Sequence, residues 1–304
     1  MPSPRLALLL PILPALAFAC GGHGTADTLF VSTEWLASHL KDPSVVVLAV
    51  GVKADYDAGH IPGSIWVDYP EIAAKGENGL SAELPSPAKF AAYFSKLGVG
   101  NDSRVIVYRL KDQLTQAARV IVTFDAMGFG RNVALLDGTL ATWTGEGRAA
   151  ATDVAAPKPA KLDPCPQDDV VTGLAFVKDN LRSSGVRILD ARAPEFYSGA
   201  SARPGLLPGH IQGAGNVFYN GLFDDTGKLK PAAELASQFT AAGVNPGDRV
   251  VTYCFIGQQA SALYVVSRYL GYDTRLYDGS WEEWSKHPEL PTEAAAAAVP
   301  AQKK

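Results

Sequence analysis

The sequence predicts an α/β protein with two similar domains, each built on a central parallel sheet flanked by helices. The chain has 304 residues, which is enough for about two domains. Its two halves share several motifs in the same order, and short β-branched runs alternate with helical patterns in each half. Strands that alternate with helices are typical of βαβ units and of parallel sheets.

The internal repeat covers most of the chain. Gly-His-Ile, a β-branched run and Asp-Gly occur in this order at 59–61, 104–109 and 137–138, and again at 209–211, 249–254 and 278–279. A tryptophan follows the Asp-Gly pair in both halves, at Trp143 and Trp284. Because the order is the same in both halves, we expect the two domains to share one fold.

The elements follow from local patterns. Continuous β-branched runs suit strands that are buried on both faces, and they predict strands at 45–50, 105–108 and 250–253. Helical apolar patterns predict helices at 87–97, 115–127, 232–242 and 260–270.

An Ala-, Pro- and Lys-rich stretch divides the repeat and sets the predicted domain boundaries. Residues 149–167 have no period and are predicted to be a linker between domains at 27–148 and 168–290. The Ala-rich end, 291–304, is predicted to be a flexible tail.

The amino terminus has the pattern of an export signal. Arg5 precedes an apolar stretch at 6–18, and Ala-Phe-Ala at 17–19 has the small-x-small form of a cleavage site. We therefore expect residues 1–26 to be a signal and spacer, and the protein to be exported. A periplasmic protein and a membrane-anchored lipoprotein with its lipid on Cys20 remain alternatives. The apolar stretch is too short for a transmembrane helix.

Charge and cysteine content exclude other classes. The formal net charge of −4 gives no basic surface for nucleic acid. Three cysteines, Cys20, Cys165 and Cys254, are too few for a disulfide scaffold. Cys165 lies in a Pro-rich stretch and no role is predicted for it.

Cys254 is the predicted nucleophile. It follows the strand predicted at 250–253, and the loop Phe255, Ile256, Gly257, Gln258 and Gln259 leads from it into a helix. Backbone N–H groups of such a loop, together with the helix amino terminus, favour the thiolate. The alternative is an inert thiol that fills the core.

From about residue 29 to 284 the chain resembles the tandem rhodanese-domain sulfurtransferases, which include thiosulfate and 3-mercaptopyruvate sulfurtransferases. Four motifs carry the resemblance: Asp-Ala-Arg at 190–192, Gly-His-Ile at 209–211, Cys-Phe-Ile-Gly at 254–257 and Asp-Gly-Ser-Trp at 278–281. The resemblance implies two rhodanese-like domains with the site in the cleft between them. It also implies that Cys254 takes sulfur from a small donor anion as a persulfide and passes it to a thiol or to cyanide, with no metal or organic cofactor.

The repeat and the resemblance together assign the first domain a non-catalytic role. Arg109 stands at the position of Cys254, and arginine cannot act as a nucleophile. His60 aligns with a histidine that handles protons in mercaptopyruvate sulfurtransferases; its alternative role is to orient its own turn.

Two arginines are candidates for binding the donor anion. Arg192 follows Asp190 in the Asp-x-Arg position of the family, and Arg203 lies in an insertion before the second Gly-His-Ile. For Arg192, a structural ion pair with Asp190 or Glu195 is an equally good explanation.

The loop after Cys254 departs from both family patterns, because Phe255 and Gln259 stand where thiosulfate sulfurtransferases often have basic residues and the Gly-Ser-Gly of the mercaptopyruvate enzymes is absent. Thiosulfate is the expected donor because the protein is expected to act outside the cytoplasm, and 3-mercaptopyruvate remains the alternative. Two other classes stay open: a non-catalytic rhodanese-like binding module, and a thiol redox protein that pairs Cys165 with Cys254. A Cys-x5-Arg phosphatase is excluded because position 260 is Ala.

Overall fold

The computed structural model describes residues 22–294, so residues 1–21 of the predicted signal and spacer, including Cys20, and residues 295–304 of the predicted tail lie outside this range. The strands are β1 Phe30–Val31, β2 Val45–Val50, β3 Ile65–Val67, β4 Arg104–Arg109, β5 Val133–Thr139, β6 Val171–Thr172, β7 Val186–Asp190, β8 His210–Ile211, β9 Gly215–Asn216, β10 Arg249–Tyr253, β11 Asp273–Tyr277 and β12 Thr292–Glu293.

The helices match the apolar patterns of the sequence to within two residues at the four predicted positions. The α-helices are α1 Ala26–Leu29, α2 Thr33–His39, α3 Lys53–Ala58, α4 Pro87–Lys96, α5 Leu114–Ala126, α6 Leu140–Gly145, α7 Leu174–Asp179, α8 Pro194–Tyr197, α9 Ala232–Ala241, α10 Gln258–Tyr269 and α11 Ser280–Trp284. Short 3₁₀ helices lie at Tyr69–Glu71, Gly130–Asn132 and Tyr219–Leu222.

Each domain contains a five-stranded sheet in which every pairing is parallel. The strand orders are β1-β5-β4-β2-β3 and β6-β11-β10-β7-β9. The strands correspond one to one in sequence order, which confirms the repeat and the α/β fold.

The central strands β4 and β10 carry the β-branched runs. Val250, Val251 and Tyr253 of β10 are completely buried because helices cover both faces of the sheet. Tyr253 pairs in register with Asp190 at the end of β7. The carboxyl ends of these two strands therefore place Cys254 next to the Asp-Ala-Arg motif, and crevices at this edge of parallel sheets are common ligand sites.

Helices α5 and α10 pack against each other and join the two domains. Apolar side chains of both, such as Val120 and Leu263, belong to one continuous core cluster. One polar contact crosses this core, where the Tyr264 hydroxyl donates to Asp125 Oδ2 over 2.7 Å. The domain interface is thus built like a domain interior and fixes the edge of one sheet relative to the other.

The predicted linker at 149–167 lies along the first domain. Ala151 forms an antiparallel bridge with His60, and the Ala160 and Gln167 N–H groups donate to Ser95 and Ala126 carbonyls. Beyond 290, where the sequence predicts a flexible tail, β12 pairs antiparallel with β8. The pairing satisfies an edge that β8 would otherwise expose.

Among residues 22–294, no helix combines the length and the apolar character needed to cross a bilayer.

Candidate active site at Cys254

Cys254 follows β10 directly and its side chain is completely buried. The chain turns at Gly257, which has φ of +77° and precedes α10. A Cβ atom at this position would lie 2.4 Å from Asp278 Oδ1, so the turn requires glycine. The strand-loop-helix expected from the sequence is present.

The backbone N–H groups of Ala260, Ile256 and Gln259 act on the Cys254 thiol in the direction that lowers its pKa. Burial raises the pKa of the Cys254 thiol, and these donors lower it only in part, so the pKa lies above the ordinary cysteine value. From the sequence we expect the loop to stabilise the thiolate. This expectation is wrong, because burial raises the pKa of the thiol more than the N–H groups lower it. The local sequence pattern predicts the backbone N–H groups near the sulfur. Desolvation of the thiol depends on how completely the rest of the fold covers it, which a local pattern does not show.

The Asp-Gly-Ser-Trp motif holds the loop in place. Ser280 Oγ accepts N–H bonds from Cys254 (3.2 Å) and Gly257 (3.0 Å), and donates to the Tyr277 carbonyl (2.8 Å). The Trp281 N–H donates to the Cys254 carbonyl over 3.0 Å. In the sequence this motif is part of the repeat and of the family resemblance, and in the structure it also shapes the loop after Cys254.

Arg119 is a site residue that sequence analysis missed. It comes from α5 of the first domain, is completely buried, and forms an ion pair with Asp278 of the second domain, Nη1 to Oδ1 over 2.5 Å. Its guanidinium lies 3.2 Å from the Cβ position of Gly257 and donates to the Ala82 carbonyl. The only signal in the sequence was an arginine next to the apolar run Val120–Val122 of α5.

A segment of the first domain, residues 74–84, lies over this ion pair; we call it the covering segment. Ala74 and Glu83 form an antiparallel bridge at its base. Its Ser81 N–H donates to Glu282 over 2.9 Å, and its Leu84 N–H donates to Asp278 over 3.4 Å. The site therefore lies between the domains and is closed by residues of the first.

Arg192 is buried and bound to Asp190. Its Nε lies 3.0 Å from both carboxylate oxygens, and its Nη2 donates to the Gly209 carbonyl over 2.7 Å. The guanidinium carbon also lies 5.0 Å from the ring centroid of Phe255. These contacts favour the structural interpretation, with Asp190 rather than Glu195 as the partner, and they align Arg192 against the loop.

Arg203 is exposed and stacks on the same ring. Its guanidinium carbon lies 3.7 Å from the Phe255 centroid. Within residues 22–294 it forms no ion pair, so its charge faces solvent beside Phe255. Of the two arginines, Arg203 is the one whose charge an incoming anion would meet.

The remaining loop residues line the interface. Gln258 Nε2 donates to Thr115 of the first domain over 3.0 Å, whereas Gln259 Oε1 is buried without a partner. Phe255 contacts Phe196 edge to face, and Ile256 packs against the same cluster.

His60 orients its own turn. Its ring nitrogens face the Tyr56 carbonyl (2.8 Å) and the Asp153 carbonyl (3.0 Å), and the ring stacks on Tyr56. In the second domain His210 bonds the Tyr197 carbonyl and stacks on Tyr197 in the same way. The structure thus does not bring His60 to Cys254, and both ring nitrogens are already used.

The first domain keeps the outline of a second site without its nucleophile. Arg109 lines a cavity of about 810 Å³ and donates to the Gly227 carbonyl over 2.8 Å. Asp137 accepts the Leu229 N–H over 2.7 Å, as Asp278 accepts that of Leu84. Each domain therefore covers the site of the other, but only the second carries a cysteine there.

Other chemistries find less support among the described residues. Cys254 is a free cysteine in this part of the chain, so it forms no disulfide with Cys165. Between residues 22 and 294, no group of three His, Cys, Asp or Glu side chains is placed to hold a metal ion.

Comparisons with known proteins agree with this geometry. Residues 32–146 and 174–287 each match the rhodanese-like domain family. The chain is 30% identical to the sulfur carrier protein TtuD of Thermus thermophilus, covering 89% of this chain and 98% of that protein. It is also 30% identical to the thiosulfate sulfurtransferase of Bos taurus, with coverage of 86% and 93%.

One solved structure extends the comparison to three dimensions. The crystal structure of SseA from Escherichia coli, a 3-mercaptopyruvate sulfurtransferase with the rhodanese fold, superposes with a TM-score of 0.74 at 27% identity. The match covers 84% of this chain and 99% of that one.

Proposed function

The chain belongs to the rhodanese family and is a sulfurtransferase, and we propose that it moves sulfane sulfur from thiosulfate through a persulfide on Cys254. The observation that carries this proposal is the free thiol of Cys254, which lies at the carboxyl end of β10 before the Gly257 turn into α10, where backbone N–H groups of the loop favour its charged form. Donors arranged in advance around a sulfur stabilise the negative charge that it carries during transfer.

The transfer has two steps. The Cys254 thiolate attacks the outer sulfur of thiosulfate; the new S–S bond forms while the old one breaks, and sulfite leaves with the electron pair. A thiolate or cyanide then attacks the outer sulfur of the persulfide, and the Cys254 thiolate is released. No oxidant or reductant is required in either step.

Two features favour a small inorganic donor. The loop residues Phe255, Ile256, Gln258 and Gln259 bring no charge, and the exposed Arg203 supplies a positive charge against Phe255. A dianion such as thiosulfate needs long-range attraction and hydrogen-bond donors rather than a shaped organic pocket. The bovine relative named above is a thiosulfate sulfurtransferase, which agrees with this choice.

The test is mass spectrometry of the purified protein after incubation with thiosulfate or, separately, with 3-mercaptopyruvate. We expect the peptide that contains Cys254 to gain the mass of one sulfur atom with thiosulfate, and cyanide to release it as thiocyanate. Cys254→Ser is the control and should gain nothing. Absence of both the adduct and thiocyanate with either donor would leave the non-catalytic binding module as the remaining function.

We further propose that the protein acts outside the cytoplasm, either free in the periplasm or anchored by lipid on Cys20. The support is the sequence of residues 1–20 alone, with its basic, apolar and small-x-small parts. Cell fractionation of the full chain tests export, and labelling with radioactive palmitate, compared between wild type and Cys20→Ala, tests the anchor. A cytoplasmic protein with an intact leader contradicts export, and label that does not depend on Cys20 contradicts the anchor.

A further inference from the structure

His23 lies between two carboxylates that belong to different domains. Its Nδ1 lies 2.8 Å from Asp125 Oδ1 of the first domain, and its Nε2 lies 3.0 Å from Asp169 Oδ2 of the second. Within residues 22–294 the other histidines pair with at most one carboxylate each: His39, His60, His210 and His287. His23 is therefore the histidine of the described chain that joins two acids across the domain boundary.

The two carboxylates differ in their surroundings. The Asp125 side chain on α5 is 4% exposed, and its other oxygen accepts the Tyr264 hydroxyl of α10 within the interface core. The Asp169 side chain, just before β6, is 53% exposed. Three arginines are the other charged groups nearby: Arg268 acts on His23, Arg275 acts on Asp169, and Arg131 lies against Gly22. The buried end of the contact thus belongs to the first domain and the exposed end to the second.

The number of protons on the ring decides how many carboxylates it can serve. Imidazolium has two N–H donors, whereas neutral imidazole has one donor and one acceptor. Only the protonated ring can therefore donate to Asp125 and Asp169 together. In the neutral ring the remaining N–H should stay on Asp125, because a buried carboxylate that loses a donor is costly, whereas water can solvate the exposed Asp169.

We propose that His23 is a pH-dependent clamp between the two domains. The protonated ring makes both contacts and ties Asp169 of the second domain to α5 of the first. When the ring loses its proton to solvent, Asp169 is released and this tie is lost, while the apolar contact between α5 and α10 remains. The clamp does not depend on the sulfur donor, so its test is separate from the test of Cys254.

The surroundings keep the ring charged to a higher pH than in an ordinary histidine. The hydrogen bond to Asp125 is the largest effect and raises the pKa of His23 above 6.5, while burial and Arg268 oppose it only in part. Because the folded state binds this proton more tightly than the unfolded chain, the stabilisation is complete below the unfolded pKa. It is lost as pH rises through the folded pKa.

Proton NMR of the histidine rings in the full chain tests the protonation step. The His23 signal is identified by its absence in His23→Gln, or by its shift in Asp169→Asn if that variant is not recovered. We expect its midpoint to lie above the ordinary histidine value and to fall by roughly 0.3–0.7 of a pH unit in Asp169→Asn, which removes an exposed charge. A midpoint at or below the ordinary value, or one that Asp169→Asn leaves unchanged, overturns the clamp.

A double-mutant cycle tests the contact across the domain boundary. Denaturant titration of wild type, His23→Gln, Asp169→Asn and the double variant gives the factor by which the two side chains together change the unfolding equilibrium constant. We expect a factor of roughly two to five at about pH 5.5, where the ring is charged, and close to one at about pH 9.

His287 and Glu289 provide the matched control cycle. They are also a histidine and a carboxylate, 3.2 Å apart, but they lie two residues apart in an exposed part of the second domain. The cycle of His287→Gln and Glu289→Gln should give a factor near one at both pH values, because this pair ties no domain to another. For His23 and Asp169, a factor near one in acid, or the same factor at both pH values, contradicts the clamp.

Discussion

Arg119 of the first domain and Asp278 of the second form a buried ion pair directly beside the loop that carries Cys254. Asp278 also accepts the Leu84 N–H of the covering segment. One carboxylate thus connects the interface helix α5, the covering segment and the turn at Gly257.

Removing one partner of this pair should be strongly destabilising. Arg119→Ala leaves the Asp278 carboxylate buried without its counter-charge, and we expect the free energy of unfolding to fall by about 3–5 kcal/mol. Denaturant titration measures it. Arg249→Ala is the matched control, because its pair with Asp273 is exposed and should contribute about 0–1 kcal/mol. Similar losses in both variants would contradict a special role for the buried pair.

The turn at Gly257 should not accept a side chain. Gly257→Ala combines a positive φ with a Cβ that clashes with Asp278. We therefore expect the free energy of unfolding to fall by about 3 kcal/mol or more, and little persulfide to form. Gly271→Ala is the control, since Gly271 has φ of +88° but nothing within 4 Å of the Cβ position. This variant should lose only about 1 kcal/mol and keep its activity. Equal behaviour of the two would show that the contact with Asp278 is unimportant.

The raised pKa of Cys254 sets a pH dependence. Since the thiolate attacks, the rate of persulfide formation in single-turnover mixing should keep rising with pH above the ordinary cysteine value. Stability should change in the opposite direction. The folded state holds the proton more tightly than the unfolded chain, so this contribution is complete below the unfolded pKa and is lost as pH rises through the folded one.

Cys254→Ser is the control for both measurements. It cannot titrate in this range, so the decline in stability at alkaline pH should be smaller in the variant. If the rate of persulfide formation stops rising at a pH below the ordinary cysteine pKa, Cys254 is already ionised there, and the expected pH dependence is wrong.

Arg203 should affect donor affinity rather than folding. Arg203→Gln removes a charge beside Phe255, and we expect KM for thiosulfate to rise about fivefold, which corresponds to about 1 kcal/mol for a charge in water. The difference should shrink as salt is added. Arg182→Gln makes the same change in charge at an exposed position of the second domain and should leave KM unchanged. Equal KM values for the two variants would show that the charge of Arg203 does not assist thiosulfate binding.

The sequence was informative wherever a local pattern or the repeat carried the signal. The β-branched run that ends at Tyr253 and the Gly257 turn suffice to place Cys254 at a strand end, and the paired motifs predict two sheets of one design. By contrast, Arg119 reaches the site from the other domain, far away along the chain. No local period marks such contacts, because they arise only when α5 packs on α10.

Burial explains the wrong expectations as well. The N–H groups around Cys254 can be predicted from a loop that leads into a helix. The direction in which the pKa of Cys254 shifts depends instead on the segments that bury its side chain. The proton-handling role that the family resemblance implies for His60 finds no support in the structure, because its ring nitrogens face the Tyr56 and Asp153 carbonyls rather than Cys254.

The mutual covering of the two sites bears on how the first half of the chain has been retained. The first domain has Arg109 at the position equivalent to Cys254 and so has no nucleophile there, yet α5 and residues 74–84 complete the wall around Cys254. Selection on the surviving nucleophile therefore also acts on the half that lacks one. A gene encoding only the second half would specify a protein with an open active site and an uncovered apolar helix.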